Sequence, residues 1–298
     1  MYNAHFGLTE VPFGLTPNTQ FYHPLVPHFE ALQVLTTALA SGEGFIKVTG
    51  EVGTGKTLIC RKLLNELGDG YVIAYLPNPY LTPNEMRAAV ASELGIDASL
   101  DQHKLTEALN HQLIALSAEE KQVVLLIDEA QMLPHETLEA LRLISNLETE
   151  SKKLMQVVLF GQPELDTRLK QDNLRQLRQR ITFSYQLRPL LINETASYVE
   201  HRLTVSGYRG APLFEPRALR MLHQASGGIP RLINVLANKC LMLSYGLNDR
   251  KVSAKLVKLA IKDTESAIQQ RSLRLPILAS VLVIEMILVI CWFGESML

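Results

Sequence analysis

Gly50-Glu51-Val52-Gly53-Thr54-Gly55-Lys56-Thr57 follows the apolar run Phe45–Thr49 (FIKVT) and precedes an apolar-periodic stretch, Leu58–Leu67. A strand, a glycine-rich turn and a helix in that order place G-x-x-x-x-G-K-[ST] in the surroundings that give the motif its meaning. Gly53 and Gly55 let backbone N–H groups turn inward onto phosphate oxygens, where side chains would obstruct them. The helix that follows presents its positive end to the same anion. Lys56 is expected to place an ammonium on the β- and γ-phosphates, and the Thr57 hydroxyl to ligate Mg²⁺. The expected nucleotide-binding set runs from Gly50 through Thr57 to Leu58, with ATP and Mg²⁺ as cofactors.

A second acidic motif lies downstream. Val123–Ile127 (VVLLI) reads as a buried strand and ends in Asp128-Glu129. Carboxylates at the C-terminal edge of an open parallel sheet face the ligand crevice. Asp128 is placed to hold Mg²⁺ and Glu129 to polarise the water that attacks the γ-phosphate. An adjacent Asp-Glu pair points to an ATPase rather than a kinase or small GTPase.

Outward from these motifs, strands and helices alternate. Strands are expected at Tyr71–Leu76, Gln156–Gly161 and Ile181–Leu187, with helices at His28–Ala40, Leu105–Leu116, His135–Leu147 and Leu165–Leu177. Thr82, Pro83 and Glu85 form a capping-box signature for one more helix. Apolar strands separated by helices imply a parallel sheet covered on both faces. After Leu191 the strands stop, and Asn193–Ser206, Glu215–Ser226, Pro230–Tyr245 and Ser253–Ser266 are helical patterns. The organisation expected is an α/β nucleotide-binding domain (1–190), a helical lid (191–270) and a basic flank with an apolar tail (271–298). Residues 1–24, rich in Pro, Phe and Tyr, read as an irregular surface segment. Phe13, Thr16, Pro17 and Tyr22 in it are candidates to shape an adenine pocket.

The 298 residues carry a formal net charge of −1, which supplies no global argument for nucleic acid as a partner. Cys60, Cys240 and Cys291 show no metal-ligand or C-x-x-C spacing and read as reduced packing residues.

Taken together, the motif order resembles AAA+ ATPases across residues 45 to about 235. The resemblance implies four roles. Gln162 is similar to the sensor that orients the attacking water. Arg180, with Arg175 second, corresponds to the arginine that reaches a neighbouring subunit's ATP, worth about 10³–10⁵ in rate. Arg231, in Gly227-Gly228-Ile229-Pro230-Arg231, corresponds to the lid arginine that contacts the γ-phosphate of its own subunit. A homo-oligomer, most simply a ring, follows from the arginine that acts in trans. The FGL…PF…LTP…FY run, GEVGTGKT, LIDEAQ, FGQPEL, LRQLRQRI and GGIPRLIN are further similar to GspA/ExeA-like ATPases of the general secretion pathway, and within them to the branch serving MSHA type IV pilus biogenesis. Inner-membrane pilus or secretion assembly proteins are the partners that this implies. A DNA-associated regulator of the transposition-helper kind is the alternative, and the charge and the absence of a helix-turn-helix argue against it. The motifs alone leave open whether turnover matters or ATP acts only as an assembly switch.

Leu275–Phe293 (LPILASVLVIEMILVICWF) carries a single charge, Glu285. Nineteen helical residues span roughly 28 Å, close to the hydrocarbon thickness. Twelve are Leu, Ile, Val or Phe, and together they offset the roughly 3 kcal/mol expected of one carboxylate. Lys262, Arg271 and Arg274 precede the run, so the positive-inside rule places the preceding residues in the cytoplasm of a single-pass inner-membrane protein. Glu285 is a candidate contact to a partner span.

Overall fold

Central strands buried on both faces dictate a three-layer core. In the computed structural model, which describes residues 2–77, 79–144 and 153–267, β1 (Phe45–Gly50) is followed by β2 (Tyr71–Leu76), β3 (Gln122–Ile127), β4 (Met155–Gly161) and β5 (Ile181–Leu187). All pair in parallel, in the order β2-β3-β4-β1-β5. Val123, Leu125 and Ile127 of β3 enter one apolar cluster, whereas Val124 and Leu126 enter the other. This two-residue period, in strands that are mostly apolar and almost wholly buried, is what lets helices cover both faces. β5, at the edge, alternates half-buried and exposed positions instead.

Among the helices, α1 (Asn3–Phe6) is a single turn and α2 (Val26–Ala40) begins two residues before the expected start. α3 (Lys56–Glu66) joins α2 on one face of the sheet, with Leu35, Ile59 and Leu63 fully buried there. The opposite face is covered by α4 (Pro83–Glu93), α5 (Gln102–Ala118) and α6 (His135–Ile144). Thr82 and Glu85 form the expected reciprocal capping box of α4. The helix expected at Leu165–Leu177 is instead α7 (Pro163–Leu169), a turn at Asp172–Leu174, and α8 (Arg175–Arg180). Asp172 and Asn173 favour turns over helix interiors, and the break keeps Leu165, Leu169, Leu174 and Leu177 all buried.

After β5, α9 (Ile192–Val205), α10 (Pro216–Ser226), α11 (Pro230–Gly246) and α12 (Ala254–Lys262) enclose a separate apolar cluster. The first residues of the chain belong to this cluster. Tyr2, Phe6, Leu8 and Phe13 are buried in it, and Phe13 meets Phe214 edge to face. The N-terminal segment is therefore a strap between the two bodies: Arg202 on α9 donates to the carbonyl of Pro12, and Arg61 on α3 donates to that of Pro17 at 2.8 Å. Among the described residues no helix is long and apolar enough to cross a membrane, and the expected span Leu275–Phe293 lies outside them.

Candidate functional site

The loop Gly50–Gly55 leaves β1 at its C-terminal end and turns directly into α3. Gly53 and Gly55 have φ of 83° and 109°, a region in which a side chain is strained. Space forbids one as well. A Cβ at Gly53 would lie 2.5 Å from Cβ of Arg231, and one at Gly55 would lie 3.0 Å from Nε2 of His28. The Lys56 side chain is folded back over this loop, donating to the carbonyls of Gly50 at 2.6 Å and Glu51 at 3.0 Å. Thr54 closes the turn by donating its hydroxyl to Glu51 O at 2.8 Å, and His28 donates to Thr54 O at 2.9 Å.

β3 delivers the acidic pair to the same edge. The Thr57 hydroxyl donates to Oδ2 of Asp128 at 2.8 Å, while Oδ1 accepts the Glu129 N–H at 2.9 Å. Glu129 takes up a left-handed conformation, φ 52° and ψ 39°, uncommon for a residue with a side chain. Its Oε2 accepts from the amides of both Gln131 and Gln162, the latter at 2.9 Å. Gln131 in turn accepts the Gln162 N–H at 2.9 Å and, through its carbonyl, a bond from Arg168 on α7.

Electrostatics follow from burial. Burial lowers the Lys56 ammonium from its ordinary value, opposed by the Glu129 and Asp128 charges. Burial raises the Asp128 carboxyl, against the Thr57 hydroxyl and the Glu129 N–H. Burial alone would raise Glu129 too, but the two glutamine amides and Lys56 outweigh it and hold the carboxyl below its usual range.

The helical body reaches the loop from above. Pro230 opens α11, and the Arg231 N–H donates to the carbonyl of Gly53 at 3.1 Å. Leu190 N–H donates to Gly228 O at 2.9 Å, so the start of α11 is also fixed to the strand–helix junction. A cavity of about 280 Å³ lies between these parts, walled by Lys56, Thr57, Glu129 and Arg231 and, from the strap, by Thr16 and Pro17. Phe13 and Tyr22 are absent from its lining. Phe13 packs in the helical cluster and Tyr22 packs against the α2–α3 side, with the Lys62 ammonium 5.4 Å from its ring centre. Half of the expected adenine-pocket set is thus structural packing.

Arg175 and Arg180 are not brought to this site. β5 pairs with β1 from Ile181 opposite Phe45 to Leu187 opposite Gly50. Arg180 therefore stands at the N-terminal edge of the sheet, about 20 Å of strand length from Gly50. It donates to the Arg142 carbonyl on α6, whereas Arg175 is exposed.

Four side chains escaped the sequence reading. Gln131, which holds Glu129, and Asn234, which lines the cavity, lie inside the quoted LIDEAQ and GGIPRLIN stretches, but nothing in spacing separates them from packing residues. His28 and Arg202 are recognisable only through carbonyls contributed from 26 and 190 residues away. Cavity and donors fit a nucleoside triphosphate with a divalent cation: a glycine loop that a Cβ would obstruct, one buried ammonium, and a hydroxyl–carboxylate pair.

A family profile described as AAA domain matches residues 38–169. General secretion pathway protein A of Aeromonas hydrophila is 45% identical over 254 residues, which are 85% of this chain and 46% of that protein. The chain thus spans about half the length of this curated relative. Solved structures share the fold at low identity. The Aeropyrum pernix ORC2 protein aligns with TM-score 0.61 and 17% identity over 86% of this chain and 73% of that one. Cdc6p of Pyrobaculum aerophilum aligns with TM-score 0.62 and 18% identity, covering 88% and 70%. A Walker-type ATPase of Pyrococcus abyssi aligns with TM-score 0.58 and 17% identity, covering 84% and 75%.

Proposed function

The chain belongs to the GspA/ExeA-like AAA family, and on that premise we propose that it is a membrane-anchored ATPase of envelope assembly. It couples Mg-ATP binding and hydrolysis to building a type IV pilus of the MSHA kind or a type II secretion complex. The observation that carries the ATPase reading is the shared Glu129 oxygen. A carboxylate held ionised by Gln131 and Gln162 stands beside a phosphate loop whose only buried ammonium is Lys56 among the described residues.

In this reading the Gly53–Thr57 backbone and Lys56 hold the phosphates, and Thr57 with Asp128 holds Mg²⁺. Mg²⁺ held there would supply charge neutralisation at the phosphate oxygens. Glu129 accepts the proton of the attacking water, and Gln162 keeps that carboxylate in place. Arg231 senses the γ-phosphate. Its backbone tie to Gly53 links the start of α11 to the loop, so nucleotide state and lid angle bias one another. Arg180, or Arg175, serves a neighbouring copy, because its own loop lies at the other edge of the sheet. A homo-oligomer follows, probed by mass measurement with and without ATP. Leu275–Phe293 anchors the chain in the inner membrane, with the ATPase in the cytoplasm, and envelope assembly proteins are its partners.

The test is fractionation of cells making the full chain or a version ending at Arg274, with ATPase assays on both fractions. Activity in the membrane fraction for the full chain and in the soluble fraction for the shorter one is expected. A full chain that stays soluble would overturn the anchor, and absence of turnover in every fraction would overturn the ATPase.

A further inference from the structure

The near-zero net charge conceals a segregation. Residues 1–190 carry 22 Asp and Glu against 16 Lys and Arg, whereas residues 191–267 carry 11 Lys and Arg against 6 Asp and Glu. One backbone contact arranges part of that excess. The parallel bridge between Phe214 and Val252 sets the segment entering α10 beside the segment entering α12. Glu215 N–H donates to Val252 O at 3.0 Å and Val252 N–H donates to Leu213 O at 2.8 Å, which fixes the register. Counted from the bridge, Arg217 and Lys255 stand three residues on, and Arg220 and Lys258 six.

Residues three apart share a helix face, so each helix offers one row of bases. All four are exposed, while Ala218 and Leu222 of α10 and Leu256, Val257 and Ala260 of α12 fill the core behind them. None of the four forms an ion pair with another described residue. Lys251 and Lys262 extend the α12 row at either end. Of the nearby acids, Glu215, Asp249 and Glu265 are exposed, and Asp263 is engaged by Lys239 at 2.8 Å. Leu259 stands 44% exposed between Lys258 and Lys262 on the same face.

We propose that this face of the helical body lies on an anionic phospholipid surface. Exposed bases around one exposed leucine match a headgroup layer, where charge meets phosphate and an aliphatic side chain enters the acyl boundary. No Phe, Tyr or Trp stands among the four bases to stack on a nucleic-acid base, and Gln224, four residues past Arg220, is the single exposed amide on the α10 row. The reach is also right: twelve residues separate Lys262 from Leu275, at most about 40 Å of chain. The proposal rests on the anchored reading above for its geometry. Each base near an anionic surface contributes about fivefold to partitioning, so the four together account for a few hundredfold.

The experiment keeps the two readings apart. Full chain carrying Cys291→Ser and a fluorophore on Gln224→Cys, exposed on α10, is reconstituted into nanodiscs of phosphatidylcholine alone or with phosphatidylglycerol. Headgroup-nitroxide lipid then reports how close the helical body sits. Incorporation into neutral discs tests the anchor; quenching tests the face. The expected result is strong quenching in anionic discs only, lost at about 1 M salt, where screening acts within about 3 Å. The combined Arg217→Gln, Arg220→Gln, Lys255→Gln and Lys258→Gln variant should lose it as well. Equal quenching in both lipids, or quenching indifferent to salt and to the variant, overturns the proposal. Retention of quenching by the variant with loss of binding to a short DNA duplex overturns it in favour of nucleic acid. The salt comparison needs no substitution and stands even if the variant fails to fold.

Discussion

Gln162 donates its side-chain amide to Oε2 of Glu129 at 2.9 Å, joining the end of β4 to the carboxylate that follows β3. Gln131 reaches the same oxygen from the turn beyond Glu129. Two amides on one oxygen fix the carboxylate and keep it ionised despite burial. Glu129→Gln should therefore keep ATP affinity within a few-fold and lose about 10²–10⁴ in turnover, the range of a general base. Fluorescent-nucleotide titration beside steady-state rates checks both numbers.

Lys56 is the ammonium that the loop already orients, through Gly50 O and Glu51 O. Lys56→Ala should abolish measurable nucleotide binding while leaving the fold intact, because Lys56 borders the cavity, from which water can take its place at the two carbonyls. Calorimetric titration with ATP decides it, and unchanged affinity would falsify the phosphate-loop assignment.

Arg180 faces away from its own loop, so its contribution is expected only between copies. Arg180→Ala alone and Glu129→Gln alone should both be inactive. Mixed, they should regain turnover, since a Glu129→Gln subunit lends its arginine to a competent neighbour. No recovery on mixing removes the trans role from Arg180, and the same experiment then passes to Arg175.

Gly228 has φ +73°, and a Cβ there would stand 2.2 Å from the Leu190 carbonyl oxygen. Gly228→Ala should cost about 2–4 kcal/mol, from left-handed strain and backbone overlap at the junction between the two bodies. Urea denaturation gives the value directly. Gly68, where a Cβ would meet nothing within 4 Å, is the control site, and Gly68→Ala should change stability little.

His23 and His201 stack with ring centres 4.3 Å apart, and burial lowers both below the ordinary histidine value. His28 and His223 are lowered for the same reason. A lowered histidine leaves the unfolded chain binding more protons between about pH 6.5 and the folded value. Stability is then fully present above about pH 6.5 and falls as pH drops through that window. Melting temperature should decline from pH 7 toward 5, and His201→Phe, which keeps a stacked ring without a proton site, should flatten the slope.

The alternation of strands and helices, the phosphate loop, the acidic pair and the capping box of α4 are all legible in the order of residues. Each rests on neighbours a few residues apart, where periodicity and turn chemistry act. The break between α7 and α8 was not legible, because Leu165 through Leu177 satisfies helical spacing well enough until packing demands all four leucines inside. The tertiary structure alone decided that the N-terminal segment straps the two bodies, since Phe13 finds Phe214 and Arg202 finds Pro12 across about 200 residues. It alone placed Gln131 on Glu129, and Arg231 on Gly53. It also turned a near-neutral composition into a face with two rows of bases, through the one bridge between Phe214 and Val252. Composition sums charge over the chain, whereas a partner meets only the charges that folding sets side by side.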